Sequence, residues 1–318
     1  MDLEDFQILK FIGQGAEGKV YAAIHKETKE HVALKQVYQQ IQSNQINEIS
    51  ILYGLSHPCI LSPTGYFQDS SKSTSYIVFR RCAMDLQQFS QKQLDKQVLF
   101  SLFSDVILGC IFLHRKNLIH RDIKAGNVLV RKEFGQARAL LTDFGMTRKL
   151  QKNQQLTDIT GTPYYLAPEI WSGNEYDQKA DSWALGVLLY YIMTGKYTVS
   201  GTATEQKQQL SEGFIPDYSN LPRLIVSILD KLLVINPQQR SLPEELFKIP
   251  ALERSCRSRI TQEDWDITFE LNFEISKQQM ILNGYSPLDT DLNIEQIIYF
   301  QQNLGPKLLD NLHMLNIK

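Results

Sequence analysis

A two-lobed α+β fold, a small β-rich lobe with one helix ahead of a larger, mainly helical lobe, is predicted by a change of hydrophobic period along the chain. Up to about residue 80 the apolar residues come in short alternating runs, and beyond Cys82 they recur at spacings of three and four. A hydrophobic content of 43% in 318 residues is enough for a substantial core. The strands are read from Phe6-Gln-Ile-Leu-Lys-Phe, Lys19-Val-Tyr-Ala-Ala-Ile-His, His31-Val-Ala-Leu-Lys and Tyr76-Ile-Val-Phe. The helix of the first lobe is expected over Asn44 to Leu55, where Ile46, Ile49, Leu52 and Leu55 share one face. In the second lobe Gln97 to Arg115, Lys179 to Thr194 and Leu221 to Ile235 are expected helices. The chain thus divides into 1–81, 82–255 and a C-terminal extension 256–318, in which Asn293 to Leu304 and Lys307 to Leu315 carry helical spacing again. A ligand cleft is expected where the lobes meet, since small-molecule sites favour such junctions.

Charge and cysteine usage narrow the function classes. Lys and Arg total 33 against 35 Asp and Glu, a net charge of −2, so no whole-chain field draws in nucleic acid or an anionic membrane. Cys59, Cys82, Cys110 and Cys256 stand far apart without a Cys-x-x-Cys pair, which argues against a disulfide framework or a zinc site. The acidic start Met1-Asp-Leu-Glu-Asp-Phe lacks the order of a secretory signal, and the apolar run Trp183 to Met193 is shorter than the roughly eighteen residues of a bilayer span. A cytoplasmic protein is expected, with no membrane and no nucleic acid among its partners.

The first chemical motif is Gly13-Gln-Gly15-Ala-Glu-Gly18-Lys-Val20, whose missing side chains let backbone amides approach phosphate oxygens. A dinucleotide fingerprint needs a helix after the glycines, but Lys19 to His25 alternates like a strand, so the loop joins two antiparallel strands. Val32-Ala-Leu-Lys35 follows and brings an ammonium towards the phosphates, and Glu48 on the expected helix can hold it as an ion pair. Further on come His120-Arg121-Asp122-Ile-Lys124-Ala-Gly-Asn127, Asp143-Phe144-Gly145 and Gly161-Thr162-Pro163-Tyr-Tyr-Leu-Ala167-Pro168-Glu169. In this order and spacing the set resembles the eukaryotic protein kinase family, serine/threonine type, over about residues 6 to 255. Asp181-Ser-Trp-Ala-Leu-Gly186 and Arg240 extend the resemblance: in the family the first braces the catalytic loop, and the second pairs with the carboxylate here belonging to Glu169.

The resemblance implies a protein-kinase-like bilobal fold and transfer of the γ-phosphate of Mg-ATP to Ser or Thr hydroxyls of a protein substrate. Asp122 is then the catalytic base, with Lys124 beside the transferring phosphate, and Asn127 and Asp143 are hard oxygen ligands for Mg²⁺. Ile12, Gly13, Gly15 and Gly18 would cover the nucleotide, and Val20, Ala33 and Leu129 would form the adenine shelf. Phe79 would close the back of the pocket, Arg81 and Cys82 would offer backbone groups, and Asp85 would accept from ribose. Arg80 stands where the family usually has Glu. Lys124 and Thr162 agree with serine/threonine specificity, and Met146 with serine over threonine.

Arg121 resembles the arginine that orders the activation segment through a phosphate in related kinases. The segment offers Thr157 and Thr160, but the position three before Gly161 is Asp158, a fixed carboxylate in place of phosphate, so basal activity is expected without an upstream kinase. Features of the cyclin-dependent, NimA-related and sterile-20-like groups occur side by side. The alternative class, a pseudokinase-like interaction module, usually lacks the Lys, the catalytic Asp or the metal Asp, and Lys35, Asp122 and Asp143 are all present. The extension 256–318 is expected to pack on the large lobe or to dock a partner.

Overall fold

The computed structural model describes residues 1–15, 18–38, 55–69, 74–92, 94–133, 135–151, 154–212 and 216–269. The chain is bilobal: of these residues, those through Leu55 together with Ser62–Arg80 form a β-rich unit, and Ser56–Leu61 with those from Arg81 onward form a mainly helical one. The expected helix at Asn44 to Leu55 lies, except for its buried last residue Leu55, outside the described residues, as do the two expected in 271–318.

The first unit is an antiparallel sheet of β1 (Phe6–Gly15), β2 (Gly18–His25), β3 (His31–Tyr38), β4 (Pro63–Asp69) and β5 (Thr74–Arg80), in the order β1-β2-β3-β5-β4. Strand alternation gives it two faces. One buries Phe6, Ala23, Val32, Leu34, Phe67, Tyr76 and Val78, with Phe67 stacked 5.3 Å from Phe6 and 5.0 Å from Tyr76. On the other face Val20 stands opposite Lys35, and Ala33 opposite Phe79. The register therefore collects four of the expected nucleotide residues on one side. Strand β4 carries no clear alternation, because Pro63 and Gly65 break it; the ladder shifts between them, on an edge strand where a proline costs no interior hydrogen bond.

Gly18 has a role in this sheet apart from any ligand. A Cβ on it would lie 1.9 Å from the Gln36 carbonyl oxygen, and its φ of +154° disfavours a side chain as well. Gly13 has no atom within 4 Å of such a Cβ. We expect Gly18→Ala to destabilise the nucleotide-free protein by about 2 kcal/mol or more and Gly13→Ala to leave it unchanged. Parallel thermal melts check this, and equal midpoints would refute it.

In the second unit, β6 (Met84–Asp85) and α1 (Leu86–Ser90) lead to α2 (Lys96–Arg115). Asp95 caps α2 by accepting from the Gln97 amide, and His114 and Arg115 stand favourably in its last turn. By length and apolar content alone α2 is long enough to cross a bilayer, but 78% of its most apolar 18-residue stretch is buried, so it reads as a core helix. The second unit is mainly helical, as expected, and also carries short strands that the sequence reading did not name. β7 (Leu118–Ile119), β8 (Val128–Glu133), β9 (Gln136–Leu141) and β10 (Arg148–Lys149) form small sheets, β8 and β9 as a hairpin turned at Gly135 with φ of +83°. Ala137-Arg-Ala-Leu-Leu141 is too apolar to alternate, and the hairpin is therefore silent in a periodicity scan.

After α3 (Pro168–Trp171) comes α4 (Lys179–Thr194), which stops at Gly195 in the left-handed conformation. Next are α5 (Ala203–Ser211), with a Thr202/Glu205 capping box, and α6 (Arg223–Leu232). The expected helix Leu221 to Ile235 is shorter at both ends, because Pro222 occupies the N-cap and Leu233 leaves helical geometry. α7 (Pro250–Arg257) and α8 (Gln262–Phe269) complete the described chain, so residues 256–269 fold into the second unit.

Candidate active site

The catalytic loop runs from β7 to β8 and is held from below by Asp181, in the first turn of α4. The Asp181 carboxylate accepts the His120 amide at 2.8 Å, the Arg121 amide at 2.9 Å and His114 Nε2 at 2.9 Å. Burial pushes this carboxyl up, but the hydrogen bond and charge of His114 together with His120 outweigh it and hold the group below the ordinary carboxylate range. His120 Nε2 donates to the Thr142 carbonyl at 3.1 Å, and its Nδ1 accepts the Asp122 amide at 3.3 Å, which fixes one tautomer. One imidazole thus ties the catalytic loop to the residue before Asp143.

Asp122 is buried, with three side chains on its carboxylate. Thr162 Oγ1 donates to Oδ1 at 2.7 Å, while Lys124 Nζ at 2.6 Å and Asn127 Nδ2 at 2.8 Å donate to Oδ2. Lys124 also donates to Thr162 at 2.8 Å, and Asn127 to the Asp122 carbonyl at 2.9 Å. An ionised carboxylate has about four acceptor sites, so Oδ1, with a single donor, has room for another hydroxyl. Both amide hydrogens of Asn127 are committed to Asp122, so the atom it can offer a cation is Oδ1. Asp143 is exposed and left-handed, with φ of +65°, while Phe144 beside it is buried against His120 at 5.2 Å. The anchored phenylalanine leaves the carboxylate facing solvent. Two oxygen donors of this kind suit a hard, octahedral cation such as Mg²⁺.

The activation segment is tied to the same loop. Arg121, left-handed at φ of +70°, directs its guanidinium to Asp158 Oδ2 at 2.5 Å, the Met146 carbonyl at 2.5 Å and Tyr176 Oη at 3.3 Å. Tyr176 donates to Asp158 Oδ1 at 3.1 Å and Thr160 to Asp158 Oδ2 at 3.0 Å. Burial acts to raise the Asp158 carboxyl, but the Arg121 charge and these hydrogen bonds bring it below its ordinary 3.8. The clamp is complete above that range and is lost only as the pH falls through the lowered value. Thr157 is exposed and outside this network. A Cβ on Gly161 would lie 2.7 Å from the Arg121 carbonyl oxygen, so the segment passes flat against the loop and delivers Thr162 to Asp122.

Glu169 and Arg240 are both buried and paired through two bonds, at 2.6 and 2.9 Å. Asp85 caps α1 through Oδ1, accepting the Gln88 amide at 2.7 Å, so only its other oxygen is uncommitted. β6 pairs Asp85 with Leu129. Burial pushes the Cys82 thiol up to about 11, which keeps it protonated at neutral pH. Ile12 is 43% exposed on β1, and Gly15 pairs with Gly18 across the β1–β2 turn. Arg81 is half-buried, and Glu48 lies outside the described residues. Sequence reasoning missed Tyr176 and His114: neither belongs to a local motif, and each meets its partner only through the tertiary fold.

The braced loop carboxylate and the segment anchored to it lie within the second unit. The protein kinase domain family matches residues 6–252, and the chain belongs to that family. It is 31% identical over 276 residues to the serine/threonine-protein kinase Nek5 of Homo sapiens, covering 82% of this chain and 38% of Nek5. It is 29% identical over 260 residues to the serine/threonine-protein kinase pakH of Dictyostelium discoideum, covering 78% and 50%. To AtPK2/AtPK19 of Arabidopsis thaliana it is 30% identical over 249 residues, covering 75% and 51%. The chain spans about half or less of the length of these relatives.

Proposed function

We propose that the chain is a serine/threonine protein kinase that transfers the γ-phosphate of Mg-ATP to protein hydroxyls. The observation that carries the reading is Asp122 held at once by Lys124, Asn127 and Thr162. Asp122 Oδ1 accepts the substrate hydroxyl proton and orients its oxygen towards phosphorus. Lys124 sets a positive charge beside the developing negative charge. Asn127 and Asp143 would hold Mg²⁺, which, when bound, neutralises the phosphate oxygens. Lys35 is assigned to the phosphates, with Glu48, outside the described residues, as its expected ion-pair partner. Ile12, Gly13, Gly15 and Gly18 are assigned to the lid over them, and Val20, Ala33 and Leu129 to adenine. Phe79 is assigned to the back of the site, Arg81 and Cys82 to backbone contacts, and Asp85 to ribose. The four free cysteines favour the cytoplasm as its compartment. Incubation with labelled Mg-ATP and generic protein substrates, beside Asp143→Ala, tests the reading. Label on Ser or Thr with the wild type alone is expected, and no label on any polypeptide, the chain itself included, would reduce it to a binding module.

On the same reading Asp158 keeps the activation segment ordered without phosphate. Phosphatase-treated protein is expected to retain its activity, and Asp158→Ala to lose about tenfold, discounted for the half-exposed carboxylate. Loss of activity on phosphatase treatment, with rescue by phosphate on Thr157 or Thr160, is the opposite result.

A further inference from the structure

The family match stops at residue 252, yet the described chain continues through α8 and grips the strand that leads to Asp143 at two places. The first is buried. Arg259 donates through Nε to Asp105 Oδ1 at 2.9 Å and through Nη2 to Oδ2 at 2.6 Å, and Nη2 also reaches the Ala137 carbonyl at 2.5 Å. Asp105, fully buried in α2, in turn accepts the Ala139 amide at 2.9 Å. Arg259 thus holds β9 at Ala137 directly and at Ala139 through Asp105.

The second grip is at the far end of β9. Thr268 Oγ1 donates to the Asp264 carbonyl at 2.6 Å, so towards His57 it acts as acceptor, from Nε2 at 2.9 Å. His57 Nδ1 is then the acceptor for the Cys59 amide at 3.1 Å, and its ring stacks on Phe112 at 4.7 Å. Burial lowers His57 to about 4, in keeping with a neutral ring that needs both partners. The segment so fixed pairs with Leu141: the Leu141 amide donates to the Cys59 carbonyl and the Leu61 amide to the Leu141 carbonyl, both at 2.9 Å. Leu141 stands two residues before Asp143. α8 itself is anchored by Trp265, stacked 5.4 Å from Phe247 and covered by Arg257 at 4.0 Å.

We propose that residues 257–269 are a strap belonging to the catalytic unit, with Arg259 and Thr268 as positioning residues that set β9 and thereby the place of Asp143. The proposal rests on the assignment of Asp143 as a metal ligand. Its consequence is that a chain cut at the end of the family match would keep Asn127 and Asp143 but lose the support that sets the place of Asp143.

The test uses the full chain. Arg259→Met leaves Asp105 buried without its main partner and is expected to fold poorly, so the deciding variant is Thr268→Val, with Thr268→Ser as the conservative control. Two readouts are taken: amide hydrogen exchange of residues 137–143, and Mn²⁺ affinity in the presence of a non-hydrolysable ATP analogue. Thr268→Val strands the buried His57 Nε2–H; we expect exchange at Leu141 to quicken about tenfold and Mn²⁺ affinity to fall several-fold, with Thr268→Ser close to wild type on both. Faster exchange confined to 262–269, or unchanged Mn²⁺ affinity, would overturn the proposal. A wild type that binds Mn²⁺ and analogue but labels no protein contradicts the kinase reading alone, and the exchange comparison still decides the strap.

Discussion

Asp122→Asn is expected to lower the turnover number by roughly 10²–10⁴-fold, about 3–5 kcal/mol of barrier, while the protein keeps its fold. The hydrogen bonds around this carboxylate explain both halves of that expectation. An asparagine oxygen placed where Oδ2 stands still accepts from Lys124 and Asn127, and its amide nitrogen, placed where Oδ1 stands, donates to the Thr162 hydroxyl. Lys124 and Asn127 keep their acceptor, and the Thr162 hydroxyl, which gives up its acceptor, is only part-buried and can turn its hydrogen to solvent, so no fully buried polar group is orphaned. The acceptor for the substrate proton is gone, because Oδ1 has become a donor. The KM for ATP is expected to change little, since the loss falls on the chemical step rather than on ground-state binding. Initial rates at saturating ATP and peptide, with thermal melts in parallel, measure both effects. A variant that retains a tenth or more of the wild-type rate would remove Asp122 from the role of base.

How much of this was legible in the sequence depends on chain separation. His120 to Asn127 lies within one loop, and Asp143-Phe144-Gly145 shortly after it, so residues that act together also stand together and their order carries the signal. The β1, β2 and β3 strands were legible because each has one face in the Phe6–Phe67–Tyr76 core, whereas β5, buried from Thr74 to Phe79, was legible as the short run of strand formers Tyr76-Ile-Val-Phe. The β8–β9 hairpin was not: Ala139, Leu140 and Leu141 are all buried, and the period that identifies a strand is lost. The polar braces were hidden for another reason. Asp105 meets Arg259 across 154 residues, and His57 meets Thr268 across 211. A lone buried aspartate or histidine has no periodicity, and only the folded chain supplies its partner. Asp158 was legible as a departure from a motif, but Tyr176, which completes its clamp, was not.

The second large effect is on stability, at Arg240. Its five N–H groups have five acceptors: both Glu169 oxygens, the Lys179 carbonyl at 2.8 Å, the Val234 carbonyl at 2.9 Å and the Ile235 carbonyl at 3.2 Å. The guanidinium also lies 5.1 Å from the Trp183 ring, and the side chain has no solvent exposure. Arg240→Met therefore abandons a buried carboxylate and three carbonyls at once, and we expect a loss of about 3–5 kcal/mol in unfolding free energy. Arg240→Lys keeps a charge but not the planar fork, and should fall between the two. Replacing both partners, as Glu169→Leu with Arg240→Met, removes the stranded carboxylate and should recover part of the loss. Urea unfolding of wild type, Glu169→Leu, Arg240→Met and the double variant measures the cycle, with Arg240→Lys run beside them. If Arg240→Met came within 1 kcal/mol of wild type, the pair would be ornamental. Activity should fall with stability and also beyond it: Glu169 heads α3 seven residues after Thr162, so freeing it slackens the segment that carries Thr162 to Asp122. A folded Arg240→Lys protein should accordingly show a raised KM for peptide while its KM for ATP stays near wild type.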